Sequence, residues 1–153
     1  MEIVVTLREL DQVRSDLTTA TGDEVDFVLL GCPHYNLEQL RVIAGLLDGK
    51  RVHENVRCWI CTARMIKRAA AWNGYLDPIE KAGARVIADT CAVESHMRMS
   101  TCAQYGLPVP QIKTMVTDST KQARYVKDLI GCTTVLADTE ACVRAAIEGR
   151  WRG

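Results

Sequence analysis

The sequence predicts a three-layer α/β domain, in which a mostly parallel sheet of about five strands carries helices on both faces. Short apolar runs alternate along the chain with segments of helical periodicity, and strands joined by helices in this way form parallel sheets with right-handed crossovers. The chain has 153 residues, of which 48% are hydrophobic, and this length and composition suit one compact core. We therefore expect residues 1–153 to form a single domain, with residues 1–23 as a helical lead-in.

Five apolar runs are the predicted strands of this sheet. They are short and bounded by residues that favour turns or helix starts, which is typical of strands rather than of buried helices. The first run is apolar almost throughout, which indicates a strand that is covered on both faces. The runs are residues 26–31, 56–61, 84–88, 112–116 and 133–136.

Segments with apolar residues at helical spacing lie before, between and after these runs. Polar residues that commonly cap helix N-termini precede four of the segments, and we expect Asn36, Thr62, Ser119 and Thr139 to be caps. The predicted helices are residues 6–17, 37–47, 63–71, 77–82, 120–129 and 140–148. About twenty residues after Cys91 show no clear period, and a loop of that length is usually functional or partly structured.

Charge and composition exclude several classes of function. The chain contains 19 basic and 19 acidic residues, so it lacks the excess of cations that a nucleic-acid surface requires. Its apolar runs are too short to cross a bilayer, and the basic region of a secretory signal is missing from the first residues, so we expect a cytoplasmic protein. Neither a G-x-G-x-x-G motif nor a P-loop follows a strand, which argues against nucleotide binding at those positions.

Reactive side chains follow four of the predicted strands. These strand ends are residues 31–34, 61–64, 89–91 and 117–119, and they contain three cysteines, a histidine and an arginine. The carboxyl ends of parallel strands share one edge of the sheet, where ligands of open α/β folds bind. Helix N-termini at this edge stabilise anions and thiolates. The sequence therefore predicts a functional site at the carboxyl edge.

Five side chains at this edge are candidates for binding or catalysis. Arg64 carries the guanidinium fork that suits bidentate binding of a carboxylate, and Thr62 lies beside it. Ser119 and Lys121 are secondary candidates, because the first turn after a strand end can reach an anionic ligand. His34 is a candidate acid, base or phosphate partner, and the alternative is a loop histidine bound to a backbone carbonyl. His96 belongs either to the site or to its rim.

The seven cysteines are irregularly spaced and odd in number, which indicates free thiols rather than a disulfide framework. Most of them are expected to fill core space. Cys58 and Cys61 form a C-x-x-C pair, and a dithiol oxidoreductase would need both thiols exposed and one with a lowered pKa. A zinc site would need four ligands, and no second motif supplies them. Burial within a strand is the favoured interpretation of this pair.

Four motifs, in this order, resemble those of the aconitase X family: Gly31-Cys32-Pro33-His34, Trp59-Ile60-Cys61-Thr62, Ala88-Asp89-Thr90-Cys91 and Thr117-Asp118-Ser119-Thr120-Lys121. The resemblance runs from about residue 24 to the end and is to the carboxyl-terminal part of the large subunit or domain. Family members are dehydratases (hydro-lyases), which act on cis-3-hydroxy-L-proline in bacteria and on phosphomevalonate in archaea. The resemblance implies an aconitase-like fold and an iron–sulfur cluster held by three cysteines. Cys32 and Cys91 would be two of these, with the third outside this chain.

The resemblance also implies partner regions outside the chain, namely a small swivelling subunit or domain with a catalytic serine and the N-terminal part of the large subunit. The chain would then be a fragment or subunit that is inactive alone. Within it, the resemblance and the strand-end chemistry together predict catalytic roles for His34, Ser119 and Lys121. Thr62, Arg64, Ser119 and Lys121 are the predicted contacts of a small hydroxy acid.

Two departures from the family pattern leave the substrate open. Asp118 stands where the family has Asn, and Arg124 replaces the His that precedes Tyr125. Hydroxyproline is the favoured substrate, and phosphomevalonate is the alternative, whose phosphate would demand an additional cationic pocket. A non-catalytic α/β binding module is the second alternative. It is distinguished by whether the strand-end cysteines meet in space.

Overall fold

The computed structural model describes residues 4–95 and 97–152, so residues 1–3 of the predicted lead-in lie outside the described residues. A five-stranded sheet forms its centre, in the order β3-β2-β1-β4-β5, and every neighbouring pair is parallel. The predicted α/β fold with five parallel strands is therefore confirmed. The strands are β1 (Phe27–Tyr35), β2 (Arg57–Thr62), β3 (Arg85–Ala88), β4 (Thr114–Thr117) and β5 (Thr133–Leu136).

Helices cover both faces of this sheet. They are α1 (Leu7–Leu17), α2 (Leu37–Leu47), α3 (Arg64–Trp72), α4 (Leu76–Lys81), α5 (Met99–Tyr105), α6 (Thr120–Leu129) and α7 (Thr139–Glu148). The segment without a clear period after Cys91 contains α5 and a short 3-10 helix at Ala92–Glu94, so it is partly structured. None of the helices described here is long and apolar enough to cross a membrane.

The predicted caps have mixed outcomes. Asn36 and Ser119 accept backbone hydrogen bonds at the starts of α2 and α6, as expected. The other two expectations are wrong. Thr62 is the last residue of β2, and α3 begins after Ala63 without a side-chain cap. Helix α7 begins one residue earlier than predicted, because Asp138 accepts from the backbone of its first turn in place of Thr139.

Strand β1 is longer than predicted. The strand predicted over residues 26–31 continues to Tyr35, where it pairs with Thr62 of β2. The register shifts between Leu30 and Tyr35, and Gly31 adopts a φ of 86° within the shift. A Cβ at Gly31 would lie 2.1 Å from the Cys61 carbonyl oxygen, so the close approach of the two backbones requires glycine.

Alternate residues of each central strand contribute to two apolar clusters, as the two-residue period of a strand requires. The larger cluster contains Val28 and Leu30 of β1 and is covered by α2, α3, α4 and α7. The smaller contains Phe27 and Leu29 and is covered by α6 and the 3-10 helix. We call these the packed face and the open face. On the open face the Phe27 and Trp59 rings meet edge to face, with centroids 5.4 Å apart.

The residues after α1 fasten the lead-in to the outer edge of β5. The backbone N–H groups of Thr19 and Ala20 donate to the Thr134 carbonyl oxygen, at 2.8 and 3.0 Å. In return, the Thr134 hydroxyl donates to the Leu17 carbonyl oxygen at 2.6 Å. This pairing satisfies hydrogen-bonding groups that an edge strand would otherwise expose.

Candidate functional site

A cavity of about 320 Å³ opens on the open face, at the carboxyl edge of the sheet. The chain passes from β1 to β2 to β3 and then returns to place β4 on the other side of β1, so the strand order reverses between β1 and β4. Ligands of open α/β sheets bind at such a reversal. The cavity is lined by Cys32, Cys91, Val93, Glu94, Lys121, Gln122, Tyr125 and Leu129. A larger depression of about 680 Å³ along edge strand β3 contains none of the predicted site residues.

Two of the predicted cysteines line this cavity. Cys32 follows the buried part of β1 and Cys91 precedes the 3-10 helix, and both are half-buried lining residues. Cys61 is buried behind them. Its pKa is raised to about 11, chiefly by burial and further by the neighbouring Cys91 and Cys32 thiols. Within residues 4–95 and 97–152, no group of three His, Cys, Asp or Glu residues is arranged to hold a metal ion. The chain itself therefore offers two thiols to this cavity.

The C-x-x-C pair does not form a dithiol site. Cys58 belongs to the packed face and Cys61 to the open face, so the two thiols point to opposite sides of β2. Both are buried, and burial raises the pKa of Cys58 to about 12. These properties are the reverse of those that a dithiol oxidoreductase requires. The structure excludes that alternative and agrees with burial within a strand.

His34 links the two segments that carry the cavity cysteines. Its Nε2 lies 2.9 Å from the carbonyl oxygen of Thr90, so Nε2–H donates to that oxygen. His34 follows Cys32 by two residues, and Thr90 directly precedes Cys91. The structure thus gives the carbonyl-bound histidine that was the alternative interpretation. His96 lies outside the described residues.

Arg64 and Asp89 hold the turn that leads to Cys91. Asp89 has a φ of 55°, a left-handed conformation that aspartate adopts more readily than most residues. Its carboxylate accepts from the Arg64 backbone N–H at 2.7 Å and pairs with Nε of the same residue at 2.8 Å. Arg64 does not line the cavity, and its side chain is 70% exposed. The predicted carboxylate ligand is thus engaged with a neighbouring acid.

The remaining predicted ligands separate into one cavity residue and two buried ones. Lys121 lines the cavity, on the first turn of α6. Thr62, another predicted substrate contact, is fully buried, and its hydroxyl donates to the Tyr35 carbonyl oxygen at 2.6 Å. Ser119 is also buried, and its Oγ accepts from the Gln122 backbone N–H at 3.2 Å as the cap of α6.

Gln122 is a cavity residue that the sequence did not single out. It is 3% exposed, and its Oε1 has no hydrogen-bond partner among the described residues. Glu94 and Tyr125 were likewise not predicted to line the site, and Glu94 forms an ion pair with Arg98. Glutamine at the third helical position is typical of a capping box, so the sequence pattern itself pointed to a structural role.

Asp118 serves a different part of the same edge. Its carboxylate accepts hydrogen bonds from the Tyr35 hydroxyl and, at 2.8 Å, from the Thr139 hydroxyl. Burial, and then the bond to Asp118, raise the pKa of Tyr35 above its usual range. This network ties the end of β1 to the start of α7. The acid that departs from the family's asparagine therefore has structural partners in this chain.

Comparisons with known proteins agree with the fold. Residues 25–148 match the family model described as the aconitase X third domain. The chain is 33% identical to the phosphomevalonate dehydratase large subunit of Methanothermobacter thermautotrophicus, over 93% of this chain and 32% of that protein. It is 31% identical to the cis-3-hydroxy-L-proline dehydratase of Pseudomonas aeruginosa, over 88% and 22%. The crystal structure of Thermococcus kodakaraensis aconitase X, holo-form, superimposes with a TM-score of 0.75 at 28% identity, covering 94% of this chain and 34% of that one.

Proposed function

The chain belongs to the aconitase X family, and we propose that it is the cluster-bearing domain of a dehydratase that removes water from a small hydroxy acid. The observation that carries the proposal is that Cys32 and Cys91 both line one cavity, at the reversal of strand order. A binding module without a cofactor would not require two cysteines from distant segments at this position.

The donor set suits an iron–sulfur cluster. Thiolates are the usual ligands of such clusters, and the two cavity thiols come from Cys32 and Cys91. The shortage of a third ligand in the described part of the chain agrees with a third cysteine contributed from elsewhere. When bound, the cluster supplies an iron that acts as a Lewis acid toward the hydroxyl that leaves the substrate.

In this proposal, residues of this chain bind the substrate and position the cluster ligands. Lys121 and the N-terminus of α6 provide positive charge at the cavity for the carboxylate of a hydroxy acid. His34 and the Arg64–Asp89 pair fix the segment before Cys91, which fits positioning of a cluster ligand better than proton transfer. We propose these roles in place of the direct catalytic role of His34 and the carboxylate contact of Arg64.

We propose cis-3-hydroxy-L-proline as the substrate, with phosphomevalonate as the alternative. The similarity to both kinds of relative is nearly equal, so it does not separate them. The charge of the cavity favours the smaller acid: among the described lining residues Lys121 is the one cation, and Glu94 is an opposing carboxylate. A phosphate would need further cations to replace its hydration.

The chain spans 32% and 22% of the lengths of the two dehydratases compared above, so we propose that it works with further regions. These are the N-terminal part of a large subunit and a small swivelling subunit or domain that carries the catalytic serine. We propose a cytoplasmic location for the assembled enzyme.

The test is reconstitution of the complete enzyme around this chain. The chain is assembled with its complementary regions, loaded with iron and sulfide without oxygen, and supplied separately with cis-3-hydroxy-L-proline and phosphomevalonate. We expect water elimination from the first, measured by product formation, and iron bound to the purified complex. Iron-loaded complex without dehydration of either acid would contradict the proposed activity, and complex unable to hold iron would contradict the cluster.

A further inference from the structure

The side-chain oxygen of Gln122 is a buried acceptor without a partner among the described residues. Its side chain is 3% exposed and lines the cavity shared by Cys32 and Cys91, and Oε1 lacks a partner throughout the part of the chain that the structure describes. Buried polar atoms in native proteins are nearly always paired, and the exceptions concentrate where a ligand, water or ion completes them. The side chain that carries this unpaired oxygen is thus part of the cavity wall.

The capping boxes at the starts of α1 and α2 contain a side-chain bond to the cap residue that Gln122 does not form in α6. At the start of α1, the Glu9 carboxylate reaches back to the Thr6 backbone N–H at 2.8 Å. At the start of α2, the Gln39 Oε1 reaches back to the Asn36 backbone N–H at 3.0 Å. Gln122 occupies the same third helical position in α6, yet the reciprocal bond to the cap residue is not formed.

A local substitution of hydrogen-bond partners explains why that bond is dispensable. The backbone N–H of Ser119, which a capping box would give to Gln122, donates instead to the Thr117 hydroxyl at 3.2 Å. Thr117 is fully buried at the end of β4. Because the Thr117 hydroxyl accepts from the Ser119 N–H, the Gln122 carboxamide is not needed as the acceptor of that group.

We propose that Gln122 is a substrate contact, whose Oε1 accepts a hydrogen bond from a donor group of the bound hydroxy acid. This inference rests on the proposed function and adds a residue to that site. Lys121, the preceding residue, supplies a positive charge for the carboxylate, while Gln122 receives a hydroxyl or ammonium hydrogen of the same molecule. Two adjacent residues of one helix turn thereby recognise the two kinds of polar group that a small hydroxy acid carries.

The first test compares two matched variants of the full chain in the absence of ligand. In Gln122→Met the unpaired buried oxygen is removed, and we expect the melting temperature to stay the same or rise by about 3 °C. In Gln39→Met the reciprocal bond of a complete capping box is lost, and we expect the melting temperature to fall. A clear loss of thermal stability in Gln122→Met would overturn the proposal, because Gln122 would then have a structural partner.

The second test uses the reconstituted enzyme with cis-3-hydroxy-L-proline as the probe. Gln122→Met should raise KM about tenfold with unchanged iron content, as expected for one lost hydrogen bond. Gln39→Met should leave KM unchanged. An unchanged KM in Gln122→Met would overturn the substrate contact. If the wild-type enzyme dehydrates neither acid, the proposed function fails by that result, and isothermal titration of the same acid decides whether Gln122 binds it.

Discussion

The packed face and the open face of the sheet differ in what they bury and in what they leave accessible. Four helices cover the packed face, and its cluster is continuous across all central strands. The open face has a smaller cluster, and beside it lies a cavity lined by two thiols and by Gln122, whose carboxamide oxygen has no partner among the described residues. The packed face therefore contributes most of the hydrophobic core, and the open face of the same strands carries the candidate binding site.

The two cysteines of β2 illustrate this division over three residues. Cys58 faces the packed side, and burial alone accounts for its raised pKa. Cys61 faces the open side, where burial is again the main cause of the raised pKa and the neighbouring Cys91 and Cys32 thiols add to it. Because neighbouring residues of a strand point in opposite directions, one strand can contribute to the core and to the site at once.

The largest expected effect is the loss of iron from the open face. Replacing Cys32 or Cys91 with serine removes a soft thiolate ligand from the cavity, and we expect the reconstituted enzyme to lose its cluster absorption and most of its iron. Cys58→Ala, on the packed face, is the control and should retain both. Full iron content in both serine variants, measured by elemental analysis, would show that the cavity thiols are not the ligands.

A core truncation on the packed face should have the converse effect. Ile43 is fully buried in α2, so Ile43→Ala should lower the free energy of unfolding by about 2–5 kcal/mol, through lost burial and the cavity left behind. Iron bound per folded molecule should not change. Denaturant unfolding and iron analysis of the same preparation measure both quantities, and reduced iron in the folded fraction would mean that the faces are coupled.

A smaller effect is expected where His34 links the two cysteine segments. His34→Ala removes the donor to the Thr90 carbonyl, and we expect iron affinity to fall about tenfold, as for other residues that orient metal ligands. His34→Gln retains a side-chain N–H and should recover part of this loss. His53→Ala, which changes a histidine outside the cavity, is the control. Equal iron affinity in all of these proteins would argue against a positioning role.

The smallest effect concerns the buried thiol of the packed face at alkaline pH. The pKa of Cys58 rises from 9.0 to about 12 on burial, so above pH 9 the unfolded chain releases its proton while the folded chain keeps it. The thiol's contribution to stability is therefore complete below pH 9 and declines as the pH rises towards 12. Unfolding at pH 8 and pH 10.5 should show a smaller alkaline loss in Cys58→Ala than in the wild type. A loss of equal size would contradict this origin.

The sequence predicted what depends on local patterns. The apolar run at 26–31 corresponds to β1, because a strand buried on both faces is apolar throughout. The helical spacing of apolar residues at 37–47 corresponds to α2, because a helix buried on one side is apolar along that side. The four strand ends also indicated the edge on which the cavity lies. Pairing between distant segments left no such trace: β1 extends to Tyr35 because it pairs with Thr62.

The details of the site depended on tertiary contacts that the sequence could not show. Arg64 was expected to bind a carboxylate, but Asp89 lies within reach only after β2 and β3 have paired. Gln122 has the position of a capping-box residue. In the structure, however, the Ser119 backbone N–H that it would accept from donates to the Thr117 hydroxyl instead. In both cases the hydrogen-bond partner of the side chain was set by residues that only the folded chain brings together.

The bond between His34 and Thr90 spans 56 residues of the chain, and this separation has a consequence for how the protein matures. Loops that large close late, because their entropy must be offset by contacts formed elsewhere. The proposed cluster pocket would then exist only in molecules that have completed the sheet. Ligand binding to the native form alone favours that form by mass action, so cluster delivery would select correctly folded chains and protect them from reopening.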